Sequence, residues 1–471
     1  MKILYIVHDF LPRHRAGTEV YTAQLALRVQ ERGHQVRIFA TEKDISRPHL
    51  QVGSREWEGL QVSELVNNLF YGSFEETWDW PPAVEAFGRI CDEFQPDVVH
   101  VMHLLYQSIG VVEEAERRGI PVVYTLHDFW LQCARFGQRI HADGSVCHTM
   151  DHGRCGTCLA TFKFAQSTTQ RRAAKAIAGL KRTTGVDLGP SVLRMTQRGQ
   201  ATGSEDDAGE YRFDEALAEQ RAEQAAARDR DLLGRVVPNV ARFFAPSLFL
   251  RDALVTWGIP EERIEHLRYG LEQAPFENFE RRPSDKVRVR YLGTLAPHKA
   301  PHLVLEAWGR LPEELRAKGN LIIHGPKESQ PDYVAKLEAL AAKVGAELPG
   351  AVERSDIPAV LADTDLLVVP SIWYENSPLT IHEARSTRTP LLVSDLGGMA
   401  ELVEPGREGW RFRVGDAGDI AARLEKILKD PDCLARLPFD GPPVKPMVRS
   451  AEEMEARYQE VLSAKGGDTS Q

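Results

Sequence analysis

Short apolar runs, each closed by Gly, Pro, Asn or Asp and followed by a stretch of helical period, recur along almost the whole chain. KILYIV (2–7), QVRIFA (35–40), DVVHVM (97–102) and PVVYTL (121–126) open the series, and VARFFAPS (240–247) and RIEHLRYG (263–270) continue it. A second series follows in VRVRYLG (287–293), NLIIHG (320–325), DLLVVPS (365–371), PLLVSD (390–395) and GWRFR (409–413). Such alternation predicts α/β architecture with parallel strands. Between the two series lies NFERRPSDK (278–286), charged and without periodicity, which reads as a joint. At 471 residues the chain is too long for one core. The expectation is two parallel-sheet domains, over 1–277 and 287–440, facing each other across a cleft. Residues 441–471 should form a helix and tail packing back on the first. There SAEEMEARYQEVLSA (450–464) has Ser450 three residues before Glu453, and Met454, Tyr458, Val461 and Leu462 on one stripe, which predicts a capped, docked helix.

Residues from about 160 to 235 break the alternation. Up to Gln200 they carry Lys163, Arg171, Arg172, Lys175, Lys181, Arg182, Arg194 and Arg198 against the single acid Asp187, and Glu205, Asp206 and Asp207 then reverse the balance. This reads as a helical, partly mobile insertion in the first domain. RRAAKAIAGLKR is either a basic helix lying on an anionic membrane surface or a solvated helix facing the acidic half of the insertion. The formal charge of −10 gives no overall basic field, so nucleic acid is not an expected partner. No apolar run reaches the roughly 18 to 20 residues that cross a bilayer. MKILYIVHDF ends its apolar run at His8 and Asp9, as a first strand does and a signal peptide does not, and the chain reads as cytoplasmic.

The stretch SIWYENSPLTIHEA (371–384) sets Glu375 and Glu383 on either side of a helix start. Ser377 is a favourable N-cap and Pro378 suits the first helical position. A capping box needs an acid or amide at the third position, which is Thr380, so Glu383 has no capping role. Unpaired amides and the positive end of the helix dipole favour a bound phosphate. A diphosphate at this point would have one carboxylate placed for a ribose and another near a leaving sugar. The plainer reading is helix punctuation with two acids nearby by chance.

Other unusual residues fall at predicted strand exits, where open α/β sheets bind ligands. HDFLPRHRAGTEVY places Gly17 before a helix around 19–31, where backbone amides can approach a phosphate or the glycine simply makes a turn. His127 and Asp128 follow PVVYTL, and that histidine suits either sugar hydroxyls or a hydrogen-bonded core. Lys299, in TLAPHKAP, is placed to neutralise a departing diphosphate or to lie on the surface. In LGGMAELV, Gly397 and Gly398 allow close backbone approach and Glu401 opens the next helix.

VVPSIWYENSPLTIHEA, with YLGTLAPHKAPHLVLEA, FFAPSLFLRDAL, SDLGGMAELVEPGREGWRF and VVYTLHDFW, resembles the family 4 glycosyltransferases of the GT-B fold. The resemblance implies two Rossmann-like domains, with the acceptor on the first and a nucleotide-diphosphate sugar donor on the second. It implies transfer with retention to a glycan or lipid-linked acceptor, in polysaccharide or glycoconjugate synthesis, without a divalent metal ion. By position, Glu383 should hold the donor ribose, Lys299 the diphosphate and Glu375 the sugar. Thr294, Asn376 and Ser377 should line the donor site, with the amides of Leu379 and Thr380 on the phosphate. Gly17 should close over the diphosphate from the other domain, and His127 should line the reaction centre. The chain departs from the family where an arginine is common at Thr294, and where Ala16-Gly17 stands for a Gly-Gly pair. Loss of that arginine gives a second reading some weight: an idle protein of the same fold that binds a nucleotide-sugar or scaffolds partners. A nucleotide-dependent oxidoreductase is disfavoured, since no G-x-G-x-x-G follows the first strand.

Cys133, Cys147, Cys155 and Cys158 fall close together, with His141, His148 and His152 among them, while Cys91 and Cys433 lie elsewhere. A C-x2-C pair with two further thiols suits tetrahedral Zn²⁺, although the spacings match no standard zinc motif. Reduced thiols and a disulfide are the alternatives. A site here would brace the cleft wall next to His127.

Overall fold

The computed structural model describes residues 1–162, 164–185, 215–328 and 330–467. Lys163, Asp187, Arg194, Arg198, Glu205, Asp206 and Asp207 therefore lie outside the described residues, as does most of the expected insertion between its two helices.

The first sheet uses β1 (Lys2–Val7), β2 (Gln35–Glu42), β3 (Val52–Trp57), β4 (Leu60–Val66), β5 (Val98–Val101), β6 (Val122–Thr125), β7 (Arg242–Ala245) and β8 (Ile264–His266). They run in the order β3-β4-β2-β1-β5-β6-β7-β8, all parallel except the edge strand β3, which forms a hairpin with β4. A two-residue β9 (Gly270–Leu271) precedes the second sheet, built from β10 (Val287–Leu292), β11 (Gly319–His324), β12 (Glu347–Gly350), β13 (Leu366–Val369), β14 (Leu391–Ser394) and β15 (Gly409–Phe412). Its order is β12-β11-β10-β13-β14-β15, parallel throughout.

In both sheets the order reverses beside the first strand of the set, between β1 and β5 and between β10 and β13. Loops leaving the carboxyl ends of strands diverge there and open a crevice. Helices cover both faces because the central strands are apolar on both: β1 reads Ile3, Leu4, Tyr5, Ile6, Val7, all buried. One apolar cluster crosses the boundary between the lobes, joining Phe129 and Phe249 of the first to Tyr374 and Met399 of the second.

The last helix, Met447–Gly467, returns to the first lobe, where Met447, Ala451, Met454 and Tyr458 pack with Tyr5 and Leu25. Tyr458 Oη lies 2.9 Å from Tyr5 Oη and 2.7 Å from His100 Nδ1. A short strand, β16 (Lys445–Pro446), pairs with β9 ahead of this helix. The helix starts three residues before Ser450, which is buried inside it and is no cap.

The helices Thr168–Thr184 and Glu215–Asp231 flank the undescribed stretch. The first opens with a capping box made by Ser167 and Gln170. The second belongs to the β6–β7 crossover, with Ala218, Ala225 and Arg228 buried, so this half of the expected insertion is integral to the sheet's cover.

Candidate active site

Lys299 and Glu375 leave the two strands that flank the reversal of the second sheet. Lys299 ends a short turn, Pro297–Lys299, after β10, and Glu375 lies in the loop after β13. Their side chains form an ion pair over the indole of Trp373, whose ring centre is 4.9 Å from Lys299 Nζ. Glu375 Oε1 also accepts from Trp373 Nε1 at 2.8 Å and Ser371 Oγ at 3.0 Å. Burial pushes this carboxyl up, but Lys299 and the two neutral donors outweigh it and hold it below the usual range.

The helix Leu379–Ser386 has Pro378 as its N-cap, one position later than its sequence suggests, and Ser377 is not its cap. Ser377 Oγ is instead 2.7 Å from His382 Nε2, and no side chain accepts from the first turn. Glu383 is buried at 1% exposure. Arg354 Nη1 stands 3.2 Å from its Oε1, which nevertheless makes no aligned hydrogen bond. Burial dominates and holds this carboxyl above the usual range despite Arg354. Thr294 is exposed and its carbonyl accepts from Tyr291 Oη at 2.7 Å.

The loop from 371 to 377 is pinned from behind and in front. Gly398 N donates to Glu375 O at 2.9 Å, and a Cβ at Gly398 would lie 1.8 Å from Asn376 O. The close approach expected of this glycine is therefore to the protein's own backbone. Asn376 Nδ2 donates to His127 O at 3.0 Å, which joins the two lobes, and Tyr374 Oη meets His148 Nδ1 at 2.7 Å. Glu401 sits in the last turn of the helix Gly397–Leu402, not its first. Its carboxylate caps the helix Leu248–Trp257 of the other lobe, accepting from Leu248 N at 2.9 Å and from Phe249 N.

Across the cleft, His127 leaves β6. Tyr269 Oη contacts Nδ1, and Nε2 is buried without a partner. Burial, then the neighbouring His103, pushes the His127 pKa down to about 3, so the ring is neutral at pH 7. Tyr269 Oη is also 3.5 Å from Leu126 O, to which it can donate, so Nε2 faces the cleft as a ring nitrogen without a partner among the described residues. His8 and His103 flank the reversal of the first sheet with ring centres 4.5 Å apart. His8 Nε2 pairs with buried Glu19 at 3.0 Å, and His103 Nε2 with Asp128 at 3.1 Å. Burial disfavours both charges of the first pair, yet the contact prevails: His8 is held above its ordinary value and Glu19 below. Gly17 starts the helix Gly17–Glu31, is exposed, and an added Cβ there would meet no atom within 4 Å.

The structure thus joins Lys299 to Glu375 and Asn376 to His127, keeps Glu383 apart with Arg354, and leaves Gly17 and Thr294 open at the surface. Sequence reasoning missed Arg354, Trp373, Tyr269 and the His8–Glu19 pair. The available signal was the position of His8 and Glu19 within HDFLPRHRAGTEVY, beside Gly17. Cys133, Cys147, Cys155 and Cys158 gather around one small hollow, and none is in a disulfide.

Residues 16–182 match the model of the glycosyl transferase 4-like domain, and residues 273–438 that of the glycosyl transferases group 1. The chain belongs to the family 4 glycosyltransferases. It is similar to the D-inositol 3-phosphate glycosyltransferase of Gordonia bronchialis, 34% identical over 32% of this chain and 34% of that one. The putative colanic acid biosynthesis glycosyltransferase WcaL of Salmonella typhimurium is 28% identical over 42% of this chain and 52% of its own. The chain therefore spans between a third and about half of these curated relatives. A longer match, to the D-inositol 3-phosphate glycosyltransferase of Thermomonospora curvata, is 25% identical over 89% and 84%. Among solved structures, Anabaena HepE with UDP and glucose aligns over 98% of this chain and 99% of that one, at TM-score 0.59 and 16% identity. Sucrose-phosphate synthase of Thermosynechococcus elongatus aligns over 98% and 99%, at TM-score 0.63 and 17% identity. The two sheets, their orders and the returning last helix are the GT-B fold of this family. Among the described residues no helix is long and apolar enough to cross a membrane.

Proposed function

We propose that this family 4 glycosyltransferase moves a sugar from a nucleotide-diphosphate donor, with retention, to a glycan or lipid-linked acceptor in polysaccharide or glycoconjugate synthesis. The observation that carries this reading is the Lys299–Glu375 pair at the switch point of the second sheet. An ammonium held there offsets the charge that grows on a departing diphosphate. Every side-chain donation to Glu375 reaches Oε1, which leaves Oε2 for hydroxyls of the transferred sugar. The amides of Leu379 and Thr380, uncapped by any side chain, suit phosphate oxygens. Glu383, buried with an oxygen short of a hydrogen bond, suits ribose hydroxyls. Asn376 and Ser377 shape the wall between them.

From the other lobe, the unpartnered His127 Nε2 faces the sugar, and Gly17 leaves open space at the start of its helix where a phosphate can approach. A hollow of about 530 Å³, bordered by Leu11, Val20, Trp57 and Ile357, lies beside this site rather than within it and meets the donor residues only through Arg354, the partner of Glu383. Ligand sites fall in this size range. That HepE holds UDP and glucose, and that the curated relatives are named as transferases, agrees with this reading. The idle-scaffold alternative gains no observation. The helix Thr168–Thr184, with Arg171, Arg172, Lys175, Lys181 and Arg182 and no acid, suits contact with an anionic membrane where a lipid-linked acceptor would lie.

Calorimetry with UDP, GDP and ADP should find a binder, and its donor should release nucleotide on turnover. Glu383→Ala should weaken nucleotide binding by about 1 to 3 kcal/mol, the scale of hydrogen bonds to a charged group. Affinity unchanged by that substitution would sink the ribose assignment. The anomeric NMR signal of the product decides retention.

A further inference from the structure

The proposed transfer makes no use of four cysteines that lie together in the wall of the first lobe. Cys133 follows the turn after β6, Cys147 follows a small hairpin bridged at Ile140 and Val146, and Cys155 and Cys158 lie on the helix His152–Ala160. All four border one hollow of about 20 Å³, together with His141, whose Nδ1 is 3.5 Å from Cys158 Sγ. That is room for an ion and little more. Packing fixes the position of the C-x2-C pair: a Cβ at Gly156 would lie 2.2 Å from Ala218 O, so its helix meets the helix Glu215–Asp231 backbone to backbone. Three of the cysteines are buried and none is in a disulfide.

Cationic side chains gather about the hollow: Arg135 and Arg139 line it, and Arg228 acts on Cys133 from behind. Arg139 and Arg228 are buried at 4% and 2% exposure. Arg139 donates to Cys147 O at 2.8 Å, His148 O at 2.7 Å and Gln132 Oε1 at 2.9 Å. Arg228 donates to Leu131 O at 3.1 Å and Trp130 O at 2.5 Å and stacks on Trp130 at 4.6 Å. Among the described residues neither pairs with a carboxylate; Asp229 and Asp128 act on Arg228 only from further away. Two buried cations without a carboxylate in contact are a costly arrangement. A dication held by four thiolates carries a net charge of −2, the sign that the surrounding arginines favour.

We propose that Cys133, Cys147, Cys155 and Cys158 hold one structural Zn²⁺ as thiolates, with Arg139 and Arg228 as buried counter-charges. Four S–H protons leave to solvent as four Zn–S bonds form. Four protein ligands leave no open position, so the role is structural. No three of the sulfurs lie within 4.8 Å of one another, whereas a tetrahedral site brings them to about 3.8 Å. Binding therefore draws hairpin and helix inward. His148 and Arg139 both contact Tyr374, the neighbour of Glu375, so the ion also stiffens the wall behind the Lys299–Glu375 pair.

Elemental analysis of the purified full chain should find one zinc per molecule, absent from Cys155→Ser/Cys158→Ser and retained in Cys91→Ser/Cys433→Ser. Should the first variant not fold, a mercurial titration of the wild-type protein takes its place. It should release the zinc in step with four thiols and lower Tm by about 4 °C or more. Metal-free protein whose reduced form takes no Zn²⁺ from a chromophoric chelator would overturn the proposal. So would bound iron in place of zinc, a disulfide joining two of the four, or an unchanged Tm after zinc release.

Discussion

Lys299 has two neighbours that define what its removal does: a buried carboxylate and an indole face. Lys299→Ala should lower kcat well beyond its effect on donor affinity, because the ammonium acts on charge that is largest in the transition state. Equal losses in kcat and in affinity would reduce it to a binding residue. The Glu375 carboxyl, relieved of that cation, should also rise toward the ordinary range, so any activity left in the variant should fall off at higher pH than in the parent. Both residues were legible in the sequence, since each stands at a strand exit beside a turn. Arg354 was not. It follows β12, a four-residue strand containing Pro349 with no readable alternation, and its approach to Glu383 depends on how that edge folds over. The His8–Glu19 pair was unread for a similar reason: burial of both partners is set by packing between β1 and the following helix.

The helix Gly397–Leu402 meets the loop carrying Glu375 backbone to backbone. Gly398→Ala places a methyl group 1.8 Å from Asn376 O, a backbone atom that cannot rotate away. The variant should lose most donor turnover, with a lower Tm because the loop is largely buried; full activity would show that the loop tolerates a shift. The central strands read clearly because buried parallel strands are continuous apolar runs. The β3–β4 hairpin did not, as VGSREW is half exposed and polar at the sheet edge. Helix starts were the weakest point. Ser377 and Ser450 both look like caps, but the first is drawn to His382 and the second is buried within a helix that begins at Met447.

For the molecule as a whole, the buried neutral histidines govern acid stability. His100 is fully buried between Tyr458 and Thr125, and burial pushes its pKa down to about 3. His382, at 4% exposure, is likewise pushed by burial to about 3. The unfolded chain takes up these protons near pH 6.5 and the folded chain does not, so stability falls as pH drops below 6.5. Each group contributes at most about 1.4 kcal/mol per pH unit. His8, raised by Glu19 against burial, works in the opposite sense but cannot offset both. Urea midpoints should be lower at pH 5.5 than at pH 7.5, with a shallower slope in His100→Gln; equal midpoints would contradict the linkage. Finally, Tyr458 belongs to the C-terminal stretch of the chain yet completes the hydrogen bonding of Tyr5 and His100. During synthesis the part of the first lobe around Tyr5 and His100 must therefore wait, covered only by the helix Gly17–Glu31, until the second lobe has been made and the closing helix has left the ribosome.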